Sequence, residues 1–480
     1  MQHMTTNRYC FLASGLQPFI VVLWRFLFYR ILTVGRGGVV IDAPGTIHHS
    51  VLETLPRRLD NMKIRPGFLL LLGLYAGIVL LVSTDALEKD EVDYVRFATN
   101  LTKGFYSPPE YLNLWMGPGY PIILVPFVAL HIPLVLAKLM NAALLFLGLL
   151  YFHRTLCLYT EPRVAYLTSL LLGLYLPFLH QLHVLYTETL VFFLLCGFLF
   201  HYCLTVGRGS PSRRHLFLSA FFLGYLALTK VLFGYIILAL LVLFLLLSLW
   251  KKDLRFRQTA LISLLALLLC IPYLAYTYSL THRIFYWSNS GGSSLYWMST
   301  PFENEFGDWH SADEVRDNPV LHDRHGKLMK EIAGADGLAA DDRLKEEAIK
   351  NITHHPLKYG QNILMNVGRL LFSYPFSFTD QKPSTFYYLL PNSFLFVLTL
   401  LCLFPYVLAR KLMPFEVHFA ALFFLLSFGA SALLSAYDRQ FRPLVPLLVF
   451  WMVIVGTRSM EIRLRPEVLR ARRKEDALTD

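Results

Sequence analysis

Carboxylates stand at two places where a sequence of 480 residues, only 16% of them charged, is otherwise strongly apolar. Asp90 and Glu91 lie in LEKDEVDYVRFATNLTKG, a few residues after a long apolar run, and Glu188 opens another apolar run in HVLYTETLVFFLL. A carboxylate beside an apolar phase can act as a general base, because desolvation raises its affinity for a proton. The alternatives are a solvated acidic loop and acids that complement helix N-terminal dipoles.

Cations occur at comparable positions. Lys230 is the single cation between two apolar runs in LALTKVLFGY, and Arg439 and Arg442 precede the last run in YDRQFRPLVPLL. The guanidinium of arginine is a rigid fork of donors that matches phosphate oxygens, so these three cations are predicted to bind an anionic headgroup. The alternatives are a lysine that snorkels to the membrane surface and arginines that anchor a helix end beside Asp438.

The elements that must position these groups are membrane helices. Hydrophobic residues make up 55% of the chain and charged residues only 16%, whereas a soluble protein carries about 25% charged residues. A helix needs about 20 apolar residues to cross the hydrocarbon core of a bilayer. Ten runs meet this need, and they are 66–84, 135–157, 164–181, 188–206, 215–230, 231–250, 258–280, 386–409, 414–436 and 442–459. The sequence therefore predicts an all-α polytopic membrane protein.

Lysine and arginine cluster in alternate short loops, which places the chain before the first span in the cytoplasm. This pattern requires the Pro-rich segment 115–131 to lie at the outer face, and segment 363–380 is interpreted in the same way. The sequence predicts five parts. They are an N-terminal extension (1–61), a bundle (62–280) that includes the first outer loop 85–134, an extracytoplasmic domain (281–385), C-terminal helices (386–459) and a basic cytoplasmic tail (460–480). The extension is an interfacial helix, an extra span or the product of an early start codon, because Met62 is also a plausible start.

Several other functions are disfavoured. The net charge of +11 is attributed to cations at cytoplasmic helix ends and not to a nucleic-acid partner, since no basic patch lies on a soluble domain. Six cysteines without a CxxC pair indicate buried hydrophobes and not a disulfide frame. No set of residues has a defensible metal-ligand spacing, so no cofactor is predicted with certainty and a divalent metal stays open. Outer-loop tryptophans, among them Trp115 and Trp309, indicate an interfacial aromatic belt or stacking on a sugar.

Short elements follow one another in a recognisable order. The Asp90-Glu91 pair is followed by Tyr94, by Gly-Pro-Gly-Tyr-Pro ending at Tyr120-Pro121, and by Glu188. Further along stand Leu-Thr-Lys at 228–230, Gly-Ser-Ser-Leu-Tyr-Trp ending at Tyr296-Trp297, a helix end from Ala348 to Pro356, and Arg439 to Pro443.

In this order, the elements resemble the GT-C integral-membrane glycosyltransferases, and in particular the polyprenyl-phosphate-sugar-dependent family. That family includes protein O-mannosyltransferases and the aminoarabinose transferases that act on lipid A. The resemblance covers about residues 64 to 458, with one departure, because Lys230 replaces an arginine and no proline follows it. It implies a GT-C-like bundle of about 10–13 spans with a small extracytoplasmic α-rich domain.

The resemblance also implies a function. The enzyme would transfer a sugar from a polyprenyl-phosphate donor to a hydroxyl of a protein, lipid or glycan acceptor, with inversion, at the outer face of a bacterial inner membrane. The implied roles are catalysis for Asp90, Glu91 and Glu188, phosphate binding for Lys230, Arg439 and Arg442, and sugar or acceptor binding for Tyr94, Tyr120, Tyr296 and Trp297.

Three other functions stay open. A lipid-linked glycan transporter or flippase would also need cations in a membrane cavity, although such proteins usually show internal repeats and none is found here. A ligase that moves a whole glycan from a pyrophosphate carrier is the second, and a non-catalytic membrane scaffold is the third. Sugar transfer by the purified protein separates the enzyme from the transporter and the scaffold.

Overall fold

The computed structural model describes residues 64–84, 86–108, 110–207 and 212–459. The predicted N-terminal extension and basic tail lie outside these residues. In the described part of the chain, all regular structure is helical, as predicted. The helices are α1 (Pro66–Val82), α2 (Lys89–Thr102), α3 (Gly119–Ala129), α4 (Leu134–Cys157), α5 (Pro162–Gly173), α6 (Leu176–His180), α7 (Glu188–Val206), α8 (Arg213–Thr229), α9 (Leu232–Lys251), α10 (Leu254–Leu269), α11 (Ile271–Thr281), α12 (Gly291–Met298), α13 (Ala312–Asp317), α14 (Pro319–Ile332), α15 (Gly337–His354), α16 (Pro356–Phe372), α17 (Phe386–Leu408), α18 (Phe415–Ala432), α19 (Asp438–Phe441) and α20 (Val445–Ser459).

The chain is an integral multi-pass membrane protein. Among the described residues, seven helices are long and apolar enough to cross a membrane, or eight when α10 and α11, which meet at a 51° bend, count as one span. The ten predicted runs all form helices, but α1 and α8 have only 17 residues each. The count of seven or eight spans therefore leaves out α1 and α8, which are one residue shorter than the shortest helix counted. Helix α3 has 11 residues, which cover about 17 Å at about 1.5 Å per residue, too short to cross a bilayer.

Helix α7 lies at the centre of the bundle. Of its residues, 94% are buried inside the protein, and it packs against α4 and α8. A helix that is apolar on every side is typical of a buried helix or of a membrane span, and neighbouring helices surround this one. Its first residue is Glu188, so the best-packed helix of the bundle fixes the position of that carboxylate.

Helix α2 follows α1 and lies outside the set of spanning helices. Glu88 and Glu91 form a capping box at its start. The Glu88 side chain pairs with the backbone N–H of Glu91, and the Glu91 side chain pairs with the backbone N–H of Glu88. Such a box stabilises a helix N-terminus, because the first turn has N–H groups without helical partners. The box fixes the start of α2, where Asp90 stands.

The polar helices α12 to α15 form a second core around a cluster of apolar side chains that includes Trp297, Leu321 and Leu344. Helix α15 ends at His354, within the helix end that the sequence shows from Ala348 to Pro356, and α16 begins at Pro356, as a proline at the first helical turn permits. The segment 363–380 is part of α16 and the turn after it, and it is not among the helices suited to crossing a membrane.

A close backbone contact joins α3 to the end of α8. The carbonyl of Gly119 accepts a hydrogen bond of 2.8 Å from the Tyr225 hydroxyl. A Cβ atom on Gly119 would lie 2.4 Å from Oγ1 of Thr229 and 2.8 Å from its nitrogen. Only glycine allows the helices to approach this closely. The contact sets the position of Lys230, the residue after Thr229.

Gly119→Ala is expected to destabilise the protein by about 1–3 kcal/mol, because the added methyl group overpacks the contact with Thr229. Thermal unfolding of the purified protein in detergent measures the effect. Gly77→Ala in α1 is the matched control, since nothing lies within 4 Å of the Cβ position there. Equal unfolding temperatures for the two variants would show that the contact between α3 and α8 is loose.

Candidate active site

Asp90 on α2 and Arg439 on α19 form an ion pair across the fold, through Oδ2 of Asp90 and Nη1 of Arg439. Both side chains are partly exposed, Asp90 by 22% and Arg439 by 29%. The guanidinium also lies over the ring of Tyr186, 5.7 Å from its centroid. The carboxylate and the cation that the sequence singles out at opposite ends of the chain therefore meet at a partly accessible place.

Glu188 and Lys230 form a second pair, with Oε1 of Glu188 and Nζ of Lys230 separated by 3.2 Å. Glu188 is buried and its second carboxylate oxygen has no hydrogen-bond partner. Glu188, Tyr186 and Arg442 line one pocket, together with Pro177, Phe178, Gln181, Val184 and Thr189. Because Tyr186 also contacts Arg439, the two ion pairs belong to one cluster of charged side chains.

Tyr186 was not singled out in the sequence. Burial, and after it the carboxylate of Asp90, raises the pKa of Tyr186 to about 12. Its hydroxyl therefore keeps its proton at neutral pH and can donate a hydrogen bond. An aromatic residue two positions before a helix-opening glutamate is a weak signal, because interfacial tyrosines are common.

The surroundings of Arg442 do not fit the predicted role of binding the donor phosphate. Arg442 is only 2% exposed. Its guanidinium donates to Oδ2 of Asp438 at 2.7 Å, to Oε1 of Gln181 at 2.6 Å and to the carbonyl of Pro177 at 3.2 Å. These contacts leave little donor capacity for a phosphate. Arg442 instead ties the start of the last span to α6 and the turn after it.

The surroundings of Glu91 do not fit its predicted catalytic role either. Glu91 is 1% exposed, and its two oxygens accept from the backbone N–H groups of Glu88 and Leu185, each at 2.8 Å. Its charge faces the buried Lys138, whose Nζ lies 3.5 Å away. A carboxylate that is fully engaged in this way holds α2 against the bundle and has no oxygen to offer to a substrate.

Tyr94 and Tyr120 lie together beneath the cluster, with ring centroids 5.1 Å apart. Burial, followed by the charges of Glu188 and Asp90, raises the pKa of Tyr94. Tyr120 is fully buried, and its hydroxyl donates to Oδ1 of Asn141 at 3.0 Å. Tyr94 is therefore close to the predicted catalytic acids, whereas Tyr120 supports it from below.

Tyr296 and Trp297 are not brought to the cluster. Both are buried in the core of the polar helices, at 5% and 2% exposure. The Tyr296 hydroxyl is 2.6 Å from Nδ1 of His325, and the Trp297 ring packs 4.8 Å from the His325 ring. Packing inside this core encloses both side chains, which does not fit the predicted contact with a sugar.

Two polar residues inside an apolar run were missed. Asn141 on α4 is fully buried, accepts from Tyr120 and Thr189, and donates to the carbonyl of Val184 at 2.8 Å. Lys138, one turn earlier on the same helix, faces Glu91. Their spacing of three residues places both on one helix face, which is a signal that the sequence contains.

The segment that presents Arg439 is held by two buried residues of α16 that were also missed. Asn366 donates to the carbonyls of Ser431, Ala432 and Leu434 and accepts from the N–H of Ala436. The guanidinium of Arg369 donates to four main-chain carbonyls, those of Ala436, Phe306, Gly307 and Pro375. These bonds fix the turn between α18 and α19, because they satisfy carbonyls that the end of α18 leaves free.

Within the described ranges, no group of three or more histidine, cysteine, aspartate or glutamate side chains is arranged to hold a metal ion. The arrangement of the cluster is instead that of two carboxylates facing two partly exposed cations. Such a site can bind an anion and can accept a proton from a neutral ligand.

No protein-family model and no curated protein sequence matches this chain. Two crystal structures are similar to it. ArnT from Cupriavidus metallidurans bound to undecaprenyl phosphate has 14% identity and a TM-score of 0.38, with 81% of this chain and 77% of that chain covered. The apo state of the same protein has 13% identity and a TM-score of 0.35, with 81% and 76% covered.

ArnT is a lipid A aminoarabinose transferase with the GT-C fold, and it comes from the family whose motifs this sequence resembles. With TM-scores of 0.38 and 0.35, the likeness leaves the function of this chain to be argued from its own residues.

Glu91→Gln is expected to lower the free energy of unfolding by about 3 kcal/mol or more, because it leaves the buried charge of Lys138 without a partner. Thermal and chemical unfolding in detergent measure the loss. Asp93→Asn is the control, since Asp93 is 36% exposed and pairs with an exposed arginine.

The double variant Glu91→Gln/Lys138→Met is expected to recover part of the lost stability, because both buried charges are then absent. If the double variant is less stable than Glu91→Gln alone, Lys138 is held by its other contact, the carbonyl of Thr84 at 3.0 Å.

Proposed function

We propose that this protein is an inverting glycosyltransferase that moves a sugar from a polyprenyl-phosphate donor to an acceptor hydroxyl at the outer face of the membrane. The observation that carries the proposal is the meeting of Asp90 with Arg439 beside the pair of Glu188 and Lys230. Ionisable groups within membrane-spanning segments are costly and are usually functional.

The donor class follows from the surroundings of the cluster. A polyprenyl chain is soluble only among apolar helices, while its phosphate and sugar need polar partners at the membrane surface. The cluster lies where α7 and α9 begin and α8 ends, so apolar spans and charged groups meet there. Undecaprenyl phosphate, the ligand in one of the ArnT structures, is a suitable probe of this class.

The chemical step is a direct displacement. The acceptor oxygen attacks the anomeric carbon of the donor sugar, its proton passes to the carboxylate of Asp90, and the bond from the anomeric carbon to the phosphate oxygen breaks. The leaving group is the polyprenyl phosphate. Because bond formation and bond breaking occur on opposite sides of the carbon, the product has inverted configuration.

Arg439 and Lys230 take the negative charge that develops on the leaving phosphate. Both cations are partly exposed and are paired with carboxylates in the absence of ligand. Arrival of the phosphate would draw Arg439 away from Asp90 and leave that carboxylate free to accept a proton. Arg442, whose donors are engaged, acts in this scheme through the position of α19.

Asp90→Asn is expected to reduce sugar transfer by about 10²–10⁴-fold, because an amide cannot take the proton of the acceptor. Transfer is measured in liposomes that contain a panel of undecaprenyl-phosphate sugars and a membrane lipid and glycan extract, with products identified by mass spectrometry. Asp93→Asn, which changes another acidic residue on α2, one that is exposed and pairs with Arg96, is expected to keep normal activity.

Near-normal transfer by Asp90→Asn would remove Asp90 as the base, and retained configuration in the product would exclude the one-step displacement. Movement of the intact donor across the bilayer, without any transferred sugar, would instead support a transporter.

Arg439→Gln is expected to weaken the binding of undecaprenyl phosphate by about 10–100-fold, because a charge-assisted hydrogen bond to the phosphate is lost. Asp90→Asn is expected to bind this lipid as well as the unmodified protein or better, since it removes the competing carboxylate. Native mass spectrometry of the purified variants measures both affinities.

Arg410→Gln is the matched control for this comparison, because Arg410 is exposed and lies beyond the C-terminal end of α17. If Arg439→Gln and Arg410→Gln bind the lipid equally well, Arg439 is not a ligand of the phosphate.

A further inference from the structure

Two tryptophans from separate segments pack against each other. The ring centroids of Trp115, between α2 and α3, and Trp309, between α12 and α13, are 6.4 Å apart at an interplanar angle of 66°. Trp115 is 38% exposed. Tryptophan has the largest aromatic face of any side chain, so exposure of this size leaves a broad apolar surface available to a ligand.

The exposed indole of Trp115 is held in place by its backbone. The N–H of Trp115 donates to Oδ1 of Asn113 at 3.2 Å, and its carbonyl accepts from the Ser288 hydroxyl at 3.3 Å. The preceding residue, Leu114, donates its N–H to Oδ1 of Asn289 at 3.0 Å. Because these contacts fix the backbone on both sides, the indole is presented by a rigid support, which lowers the entropy cost of binding.

Both tryptophans lie next to the elements that carry the two cations of the site. Two residues after Trp115, Gly117 packs so closely on α8 that a Cβ there would lie 2.3 Å from the Leu228 carbonyl oxygen, two residues before Lys230. The carbonyl of Trp309 accepts a hydrogen bond of 3.1 Å from the hydroxyl of Tyr437, two residues before Arg439. The tryptophan pair thus links the supports of Lys230 and Arg439.

We infer that Trp115 and Trp309 form a subsite for the ring of a hexopyranose. This inference rests on the proposed function and deepens it, because it assigns a place for the sugar next to the phosphate-binding cations. One face of a hexopyranose carries several C–H groups that pack on an indole, and its hydroxyl groups need polar partners at the rim.

The surroundings provide those polar partners. The hydroxyls of Ser288 and Ser290 are 2.7 Å apart, and Ser288 contacts the Trp115 carbonyl. The indole N–H of Trp309 donates to Oγ of Ser293 at 3.3 Å, so a protein hydrogen bond fixes the orientation of the Trp309 ring.

The test uses the full-length protein in nanodiscs, which are free of glycoside detergents. Saturation-transfer NMR measures the binding of methyl α-D-mannopyranoside and methyl β-D-glucopyranoside. Trp115→Ala is expected to weaken pyranoside binding by about tenfold, because the stacking surface is lost. Trp115→Phe retains an aromatic face and is expected to keep most of the affinity.

Trp250→Ala is the matched control, since Trp250 is 78% exposed at the opposite end of α9 from Lys230. It is expected to bind the pyranosides as the unmodified protein does. Addition of undecaprenyl phosphomannose then identifies the origin of the sugar. Loss of the pyranoside signal places the donor sugar in the subsite, and a retained signal places an acceptor sugar there.

The inference is overturned if no pyranoside gives saturation transfer, or if Trp115→Ala and Trp250→Ala behave alike. It is also overturned if brominated lipids quench the fluorescence of the unmodified protein more strongly than that of Trp115→Ala, because the indole of Trp115 then lies in the bilayer as part of an aromatic belt. Trp115→Ala should still bind undecaprenyl phosphate normally, so failure of this subsite is distinguishable from failure of the phosphate site at Arg439.

Discussion

The ion pair between Asp90 and Arg439 joins two residues that are 349 positions apart in the sequence. It connects a short surface helix near the start of the described chain to the turn before the last span. The neighbouring charges are paired as well, Glu91 with Lys138, Glu188 with Lys230 and Asp438 with Arg442. An apolar bundle can hold so many charges at one end only because each has an opposite charge close by. The pairs differ in exposure, and those of Arg439 and Lys230 are the ones that a ligand can reach.

The rigid parts around the cluster divide into two layers of support. From within the bundle, the buried helix α7 and the hydrogen bonds of Asn141 hold Glu188 and the tyrosines beneath it. From helix α16, Asn366 and Arg369 hold the turn that ends at Arg439 through bonds to main-chain carbonyls. Arg369 also binds the carbonyls of Phe306 and Gly307, in the segment between α12 and α13. The position of the Arg439 guanidinium is therefore linked to the packing of that segment.

Much of the fold follows from the sequence, because apolar runs of membrane length and amphipathic stretches identify helices without reference to their neighbours. The charged residues of the cluster are also visible in the sequence, since ionisable groups are rare in such runs. Their partners are not, because pairing depends on how helices pack. Glu91 and Asp90 are adjacent, yet one is buried against Lys138 and the other is partly exposed beside Arg439. Tyr296 and Trp297 match a motif, but only the packing around His325 shows that they are enclosed.

The separation between Asp90 and Arg439 has a consequence for biosynthesis. Ribosomes add about 5–20 residues per second, so the 349 residues between the two require roughly 20 to 70 s. Lys138 emerges only 47 residues after Glu91 and can neutralise that acid early. Asp90 must wait at the membrane surface, hydrated and unpaired, until the last span is inserted, so the cluster cannot be complete before translation is nearly finished.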